Sequence, residues 1–433
     1  MASLWNRLLG LDQRVVVEGV TWGEKAQAVV ASVRVKKGSR LRCGRCGEPA
    51  PGYDEGEGRR RWRALDLGTR RVLLEADSPR VDCPLHGVVV SSVPWARHGA
   101  GHTRDFDETV AWLAVQCSKT AVAQLMRVAW RTVGAIVSRV WADTEESYDR
   151  FSGLRRIGID EISYRRGFLY LTVVVDHDSG RLVWAAPGHN KATLQAFFDA
   201  LGKERCQKIT HVTADQADYI REAVRANCPE AILCADPFHV VGWATDALDV
   251  VRRQAWNEAR ALARTEPKRP GGRPPKDAPP RPGHEKKRAL KNARYALWKN
   301  PENLTPNQQE KLAWIAKTDP RLHRAYLLKE GLRTVFSLEE GETEEALDQW
   351  ISWGRRCRIP AFVDLQRRIV KHRAAIDASI EHRLSNALVE STNTKIRLLT
   401  RLAFGFHSPH ALIALCMLAL GGHRPTLPGR IPP

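Results

Sequence analysis

At 433 residues the chain has the length of two or three domains, and 43% hydrophobic with 27% charged residues can build real cores. The excess of 68 Lys+Arg over 49 Asp+Glu gives a net charge of +19, which favours polyanions because each neutralised phosphate releases condensed counterions. A membrane helix needs roughly 20 apolar residues; the longest apolar run is the ten-residue Ala411–Leu420. Met1–Gly10 shows no basic segment leading into a long apolar stretch, and nine scattered Cys suit neither a disulfide framework nor secretion. These features predict a soluble, cytoplasmic, multidomain protein with no membrane partner.

Residues 1–100 read as strand-poor and rich in Gly and Arg. They hold Cys43-Gly-Arg-Cys46 and, after 36 intervening residues, Cys83-Pro-Leu-His86. Each pair sets two soft ligands at one turn, with Gly47 and Gly87 following, and two such knuckles close a tetrahedral Zn²⁺ site. Four protein ligands leave no open position, so the zinc is expected to be structural.

Next comes a helical pattern over 105–147. Ser118 caps a helix to Met126, Arg127–Ala129 forms a turn, and Trp130–Val140 is a second helix. Val122, Leu125, Val128, Val133, Ile136 and Val137 supply the apolar seam of a helix-turn-helix. On that reading Arg131, Thr132 and Arg139 face DNA.

From Arg155 the period changes to short β-rich runs: Arg156–Ile162, Phe168–Asp176 and Arg181–Ala186. A helix (Lys191–Leu201), a strand (Lys208–Ala214), a second helix (Ala217–Ala226) and a strand (Ala231–Ala235) follow. The order β-β-β-α-β-α-β suggests hairpins and then parallel crossovers. Val240–Gly405 is helical in pattern except for the loop 267–283, PKRPGGRPPKDAPPRPG. Residues 251–300 carry fifteen Lys/Arg against four acids, and Arg269, Arg273 and Lys276 within the loop suit phosphate contacts.

Three acids stand in unusual places. Asp160 closes the apolar run Arg156–Asp160, Asp215 closes Ile209–Asp215, and Glu390 sits on a C-terminal helix. Asn386 and Asn393, at i−4 and i+3, share the Glu390 face, and Lys395, Arg397 and Arg401 continue it as a cationic helix. Carboxylates that converge repel one another unless cations neutralise them, and hard divalent ions with oxygen ligands also coordinate phosphate.

Taken in order, Cys43/Cys46/Cys83/His86, the helix-turn-helix, Gly158-Ile-Asp-Glu161, Asp236-Pro-Phe-His-Val240 and Asn386-x-x-x-Glu390-x-x-Asn393 resemble the ISL3 family of bacterial insertion-sequence transposases over nearly the whole chain. The resemblance implies a multidomain α/β protein: a zinc-binding N-terminal domain (1–100), a helix-turn-helix (101–150), and an RNase H-like catalytic domain (151–243 and 385–433) interrupted by an all-helical insertion (244–384). It implies a DDE transposase that binds terminal inverted repeats, cleaves the element ends and joins 3′-hydroxyls to target DNA. The triad falls on Asp160, Asp215 and Glu390 holding two Mg²⁺, with Mn²⁺ as a substitute. Asp236 and His239 support the site, and Asp236 can exchange roles with Asp215. A homo-oligomer on DNA, associated with the bacterial nucleoid, is expected. The rival readings are a zinc-stabilised DNA-binding regulator with an inactive catalytic domain, and a metal-dependent nuclease without strand transfer.

Overall fold

The computed structural model describes residues 2–430 except 166, 168, 216, 267–280, 339, 340 and 407. Arg269, Arg273 and Lys276 of the basic loop lie outside the described residues.

The N-terminal region corrects one expectation, because residues 1–100 are rich in strands. After α1 (Ala2–Leu8) come β1 (Val15–Gly23), β2 (Ala28–Val35), β3 (Gly52–Asp54), β4 (Arg59–Leu67), β5 (Arg70–Asp77), β6 (Arg80–Cys83) and β7 (Gly87–Val90). They build a four-stranded sheet, β1-β2-β5-β4, and a three-stranded one, β3-β6-β7. In β5, Val72, Leu74 and Ala76 are buried while the alternating Arg71, Leu73, Glu75 and Asp77 are half-buried or exposed, so the wholly apolar buried face is one of the two. The frequent Arg and Glu on the other face hid this alternation.

Then come α2 (Arg104–Gln116), α3 (Lys119–Met126) and α4 (Trp130–Ser147). Ser118 caps α3 by accepting from the Ala121 amide, and Arg127 makes the turn with φ 54°. Val122, Val133, Ile136 and Val137 are buried as the seam requires, but Leu125 is 65% exposed and lies outside it.

The central sheet contains β8 (Arg156–Arg165), β9 (Leu169–Asp176) and β10 (Leu182–Pro187), and after α5 (Lys191–Leu201) and α6 (Lys203–Cys206) come β11 (His211–Ala214), α7 (Asp218–Asn227) and β12 (Ile232–Ala235). Its order is β10-β9-β8-β11-β12, with β8 to β10 antiparallel and β11 parallel to both β8 and β12. Helices α5 and α7 cover one face, on Ile157, Ile159 and Val174.

From Pro237 to Leu420 the described residues contain no strand: α8 (Pro237–Thr265), α9 (Pro282–Lys291), α10 (Arg294–Trp298), α11 (Pro306–Thr318), α12 (Pro320–Val335), α13 (Thr343–Arg356), α14 (Pro360–Lys371), α15 (Arg373–Glu381), α16 (Ala387–Leu402) and α17 (Pro409–Leu420). The helices up to α15 bury a core of their own, with Leu248, Val251, Leu328, Trp350 and Phe362 among its members. The second sheet face is covered by α16 and α17, and the same core continues into α2, α3 and α4. The ten-residue apolar run of α17 is therefore interior packing between two layers. Among the described residues, no helix is long and apolar enough to cross a membrane.

Candidate active site

Strand register brings the acids together. The final paired residues of the three parallel strands are Ile159, Ala214 and Ala235. Asp160, Asp215 and Asp236 are thus the next residues of β8, β11 and β12, side by side where the sheet opens. Asp160 does not end its strand, since β8 runs on beside β9 to Arg165, but it marks where pairing with β11 stops.

Helix α16 delivers Glu390 from across the sheet and is fastened there by its two asparagines. Asn386, fully buried, accepts from Thr213 Oγ1 at 2.5 Å, and its Nδ2 donates to the Ile159 carbonyl at 3.4 Å. His177 Nε2 lies 2.7 Å from the same threonine oxygen. Asn393 donates from Nδ2 to Asp160 Oδ2 at 2.7 Å. Close approach also depends on Gly158: a Cβ there would lie 2.4 Å from Val389 Cγ2 and 2.9 Å from His177 Nε2. Asp236 caps α8 by accepting from the Phe238 amide at 3.4 Å and also accepts from the Asn386 amide at 3.3 Å.

The acids differ in how far the protein itself satisfies them. Burial, with Asp215 and Glu390 nearby, pushes the Asp160 carboxyl above its ordinary range despite the Glu161 amide and His239. Glu161 is likewise pushed up by burial and by Asp160 and Asp215, and its Oε1 is buried without a hydrogen-bond partner. Burial also raises Asp236, but His239 and the Asn386 and Phe238 amides outweigh it and hold this carboxyl low. The Asp236 Oδ2–His239 Nδ1 ion pair is 3.2 Å long but poorly aligned, leaving both atoms without a hydrogen bond. Asp236, His239 and Glu390 offer ligand atoms all within 4.8 Å of one another. Desolvated oxygens with unmet lone pairs are the donor set of a hard divalent cation.

Several participants carried no sequence signal strong enough to single them out. Thr213 and His177 act through long-range contacts, Gly158 through a close approach, and Glu161 through burial. Phe238, between Asp236 and His239, leaves its ring 69% exposed at the rim. Lys395, Arg397 and Arg401 lie on the exposed side of α16.

At the other end of the chain, Cys43, Cys46, Cys83 and His86 converge with all ligand atoms within 4.8 Å. Cys46 and Cys83 sulfurs are 3.8 Å apart, and His86 Nδ1 lies 3.7 Å from Cys43 Sγ and 3.6 Å from Cys83 Sγ. A tetrahedron with Zn–S of ~2.3 Å has edges of about 3.8 Å. Gly47 and Gly87 make the knuckle turns at φ 72° and 65°. Burial raises the Cys43 thiol, but the Cys46 and Arg45 amides and the neighbouring thiols bring it down to about 6, toward the thiolate a metal needs.

Known proteins resemble this chain in sequence. A sequence profile described as a transposase, that of the ISL3 DDE domain, matches residues 157–416, which is more than half of the chain. The chain belongs to the ISL3 family of insertion-sequence transposases. Two further profiles match: the zinc-finger of the IS204/IS1001/IS1096/IS1165 transposases at 39–86, and the helix-turn-helix domain of transposase family ISL3 at 91–141. Transposases for insertion sequence element IS1557 from two Mycobacterium tuberculosis strains are 67% identical over 99% of this chain and 97% of their own length. The transposase for IS1001 of Bordetella parapertussis is 25% identical over 92% of this chain and 93% of its own.

The three residues expected to face DNA differ in their surroundings. Arg131 is exposed and Thr132 half-buried. Arg139 is committed elsewhere: its Nε donates to Asp107 Oδ2 at 2.9 Å and its Nη2 to Oδ1 at 3.2 Å, on a carboxylate with no exposure. Arg97, itself buried, reaches the same Asp107 at 3.5 Å.

Proposed function

We propose that this transposase binds the terminal inverted repeats of an insertion sequence, cleaves the element ends and joins the 3′-hydroxyls to target DNA. The observation that carries this reading is the register that sets Asp160 beside Asp215 with the Glu390 helix fastened across them. The sheet order, antiparallel hairpins followed by parallel strands, supports an RNase H-like domain formed from 151–243 and 385–433 and split by the helical insertion.

Asp160, Asp215 and Glu390 would hold a pair of Mg²⁺ ions, which supply Lewis-acid stabilisation of the attacking and leaving oxygens in phosphoryl transfer. The protein's part is orientation. Asn393 fixes the Asp160 carboxylate, Asn386 ties α16 to β8 and β11, and Asp236 braces the start of α8 beside His239. The exposed Phe238 ring offers a stacking face to a nucleobase at the rim. Coordinated cutting of two ends calls for a homo-oligomer on DNA, working in the bacterial nucleoid.

Labelled element-end duplex incubated with the full chain should yield cut ends in Mg²⁺ or Mn²⁺. Chelator should suppress the rate by at least about 10³-fold, the equivalent of ~4 kcal/mol. Addition of target duplex should then give joined products. Binding without any cut would make the chain a regulator, and cutting without joining would make it a nuclease.

We further propose that Cys43, Cys46, Cys83 and His86 hold one structural Zn²⁺. Metal analysis should find about one zinc per parent chain and close to none in Cys46→Ser. That variant should expose the β3-β6-β7 region to protease while the metal-dependent unfolding of the catalytic domain stays as in the parent. Full zinc content in Cys46→Ser would reject the site.

A further inference from the structure

A groove of about 870 Å³ runs between the zinc knuckle and the distal half of α4. One wall carries Lys36, Lys37, Arg40, Arg42 and Arg45, five exposed cations within ten positions. Among the described residues none of the five has an acid within ion-pairing distance, whereas most arginines nearby are paired. Arg14 is held by Asp12 at 2.7 Å, and Arg104 by Asp143 at 3.2 Å. The opposite wall is α4 at Arg139, Ala142, Asp143 and Glu146. Of its charges Arg139 and Asp143 are already spent on Asp107, Arg97 and Arg104, which leaves Glu146 as the opposing acid.

Five unpaired cations along one edge carry a high self-repulsion that a row of phosphates relieves. Elsewhere the helix-turn-helix has little room for that task. Its second helix shares a core with α17, and its Arg131, Ala135 and Ser138 flank lines a smaller groove, about 520 Å³, against Phe406, Ser408 and Ala411.

We propose that the Lys36–Arg45 groove seats the sugar–phosphate backbone of duplex DNA at the element ends. This rests on reading the chain as a binder of those ends, and it assigns the backbone contacts to the knuckle wall rather than to the helix-turn-helix. Arg42 also donates to the Gly47 carbonyl at 2.9 Å and so helps to hold the knuckle loop, which makes the other four the residues to remove.

The test uses the full chain, zinc-loaded, and a fluorescent duplex carrying the element's terminal sequence, titrated across about 50–200 mM salt. Lys36→Ala/Lys37→Ala/Arg40→Ala/Arg45→Ala should lose affinity on the order of 10²-fold, and its slope of log affinity against log salt should shrink by about 3–4. The milder Lys37→Ala/Arg40→Ala should shrink it by about 2, with parental zinc content and Tm. Parental affinity and slope in both variants would overturn the groove while leaving end binding and cleavage intact. Lost affinity with an unchanged slope would overturn it too, because no phosphate contact would have been removed. A parent chain that fails to prefer the end duplex over a scrambled one removes the functional reading and the groove together.

Discussion

Asp160→Asn and Asp215→Asn should each bind element ends as the parent does, yet cleave them at least about 10³-fold more slowly. Stability separates this effect from misfolding. Asp160 has a folded pKa raised by burial and by the acids beside it, so its ionised form is less favourable folded than unfolded. At neutral pH that charge subtracts from stability, and Asn at 160 should leave the metal-free Tm equal or higher. Asn393 accommodates the change by turning its amide, since its buried Oδ1 has no partner at present. Added Mg²⁺ should raise the parent's Tm and leave that of Asp160→Asn nearly unmoved, because only the parent binds the ions tightly. Asp236→Asn should behave differently. It keeps the helix cap but loses a charge that His239 and two amides hold ionised, and should cost about 1.5–3 kcal/mol of stability. Calorimetry with single-turnover cleavage distinguishes the two patterns. Parental cleavage in Asp215→Asn, together with a stable but inert Asp236→Asn, would exchange their roles.

Features written in local sequence were legible, and those created by distant contacts were not. The two knuckles, the Ser118 cap and the Asn386/Glu390/Asn393 spacing each lie within one turn or helix, where residue type and interval dictate position. Apolar runs closing on acids marked Asp160 and Asp215, because a carboxylate at the end of a buried apolar run needs a reason for it. Arg139 shows the limit. Its position on α4 suits DNA, but Asp107, 32 residues earlier and fully buried, claims its guanidinium. Nothing in helical period announces that pair. The N-terminal strands were obscured by their own solvent-facing Arg and Glu. The short apolar run of α17 was informative only as too brief for a membrane, although it is the helix on which α4 and the sheet both pack.

Gly158→Ala should disable cleavage without touching an acid. The added methyl would sit 2.4 Å from Val389 Cγ2, well inside van der Waals contact and the closest obstacle, with His177 Nε2 at 2.9 Å and Thr213 Oγ1 at 3.0 Å. Val389 is fully buried and β-branched, so it has little rotamer freedom with which to yield. The strain is relieved by lifting α16, and Glu390, the next residue, moves with it. Overpacking of this kind costs about 1–3 kcal/mol of stability. Displacing a catalytic group by about 1 Å costs roughly 10²-fold in rate. Asn386 precedes this helix directly and Asn393 lies on it, so lifting it also lengthens their bonds to Ile159 and Asp160 and loosens both sides of the site. Trimming the obstacle should undo the damage: Gly158→Ala/Val389→Ala should recover most of the cleavage rate while Val389→Ala alone stays near parental activity. A Gly158→Ala chain with parental cleavage, or a double variant no faster than the single, would mean that the approach of α16 to β8 does not set the position of Glu390.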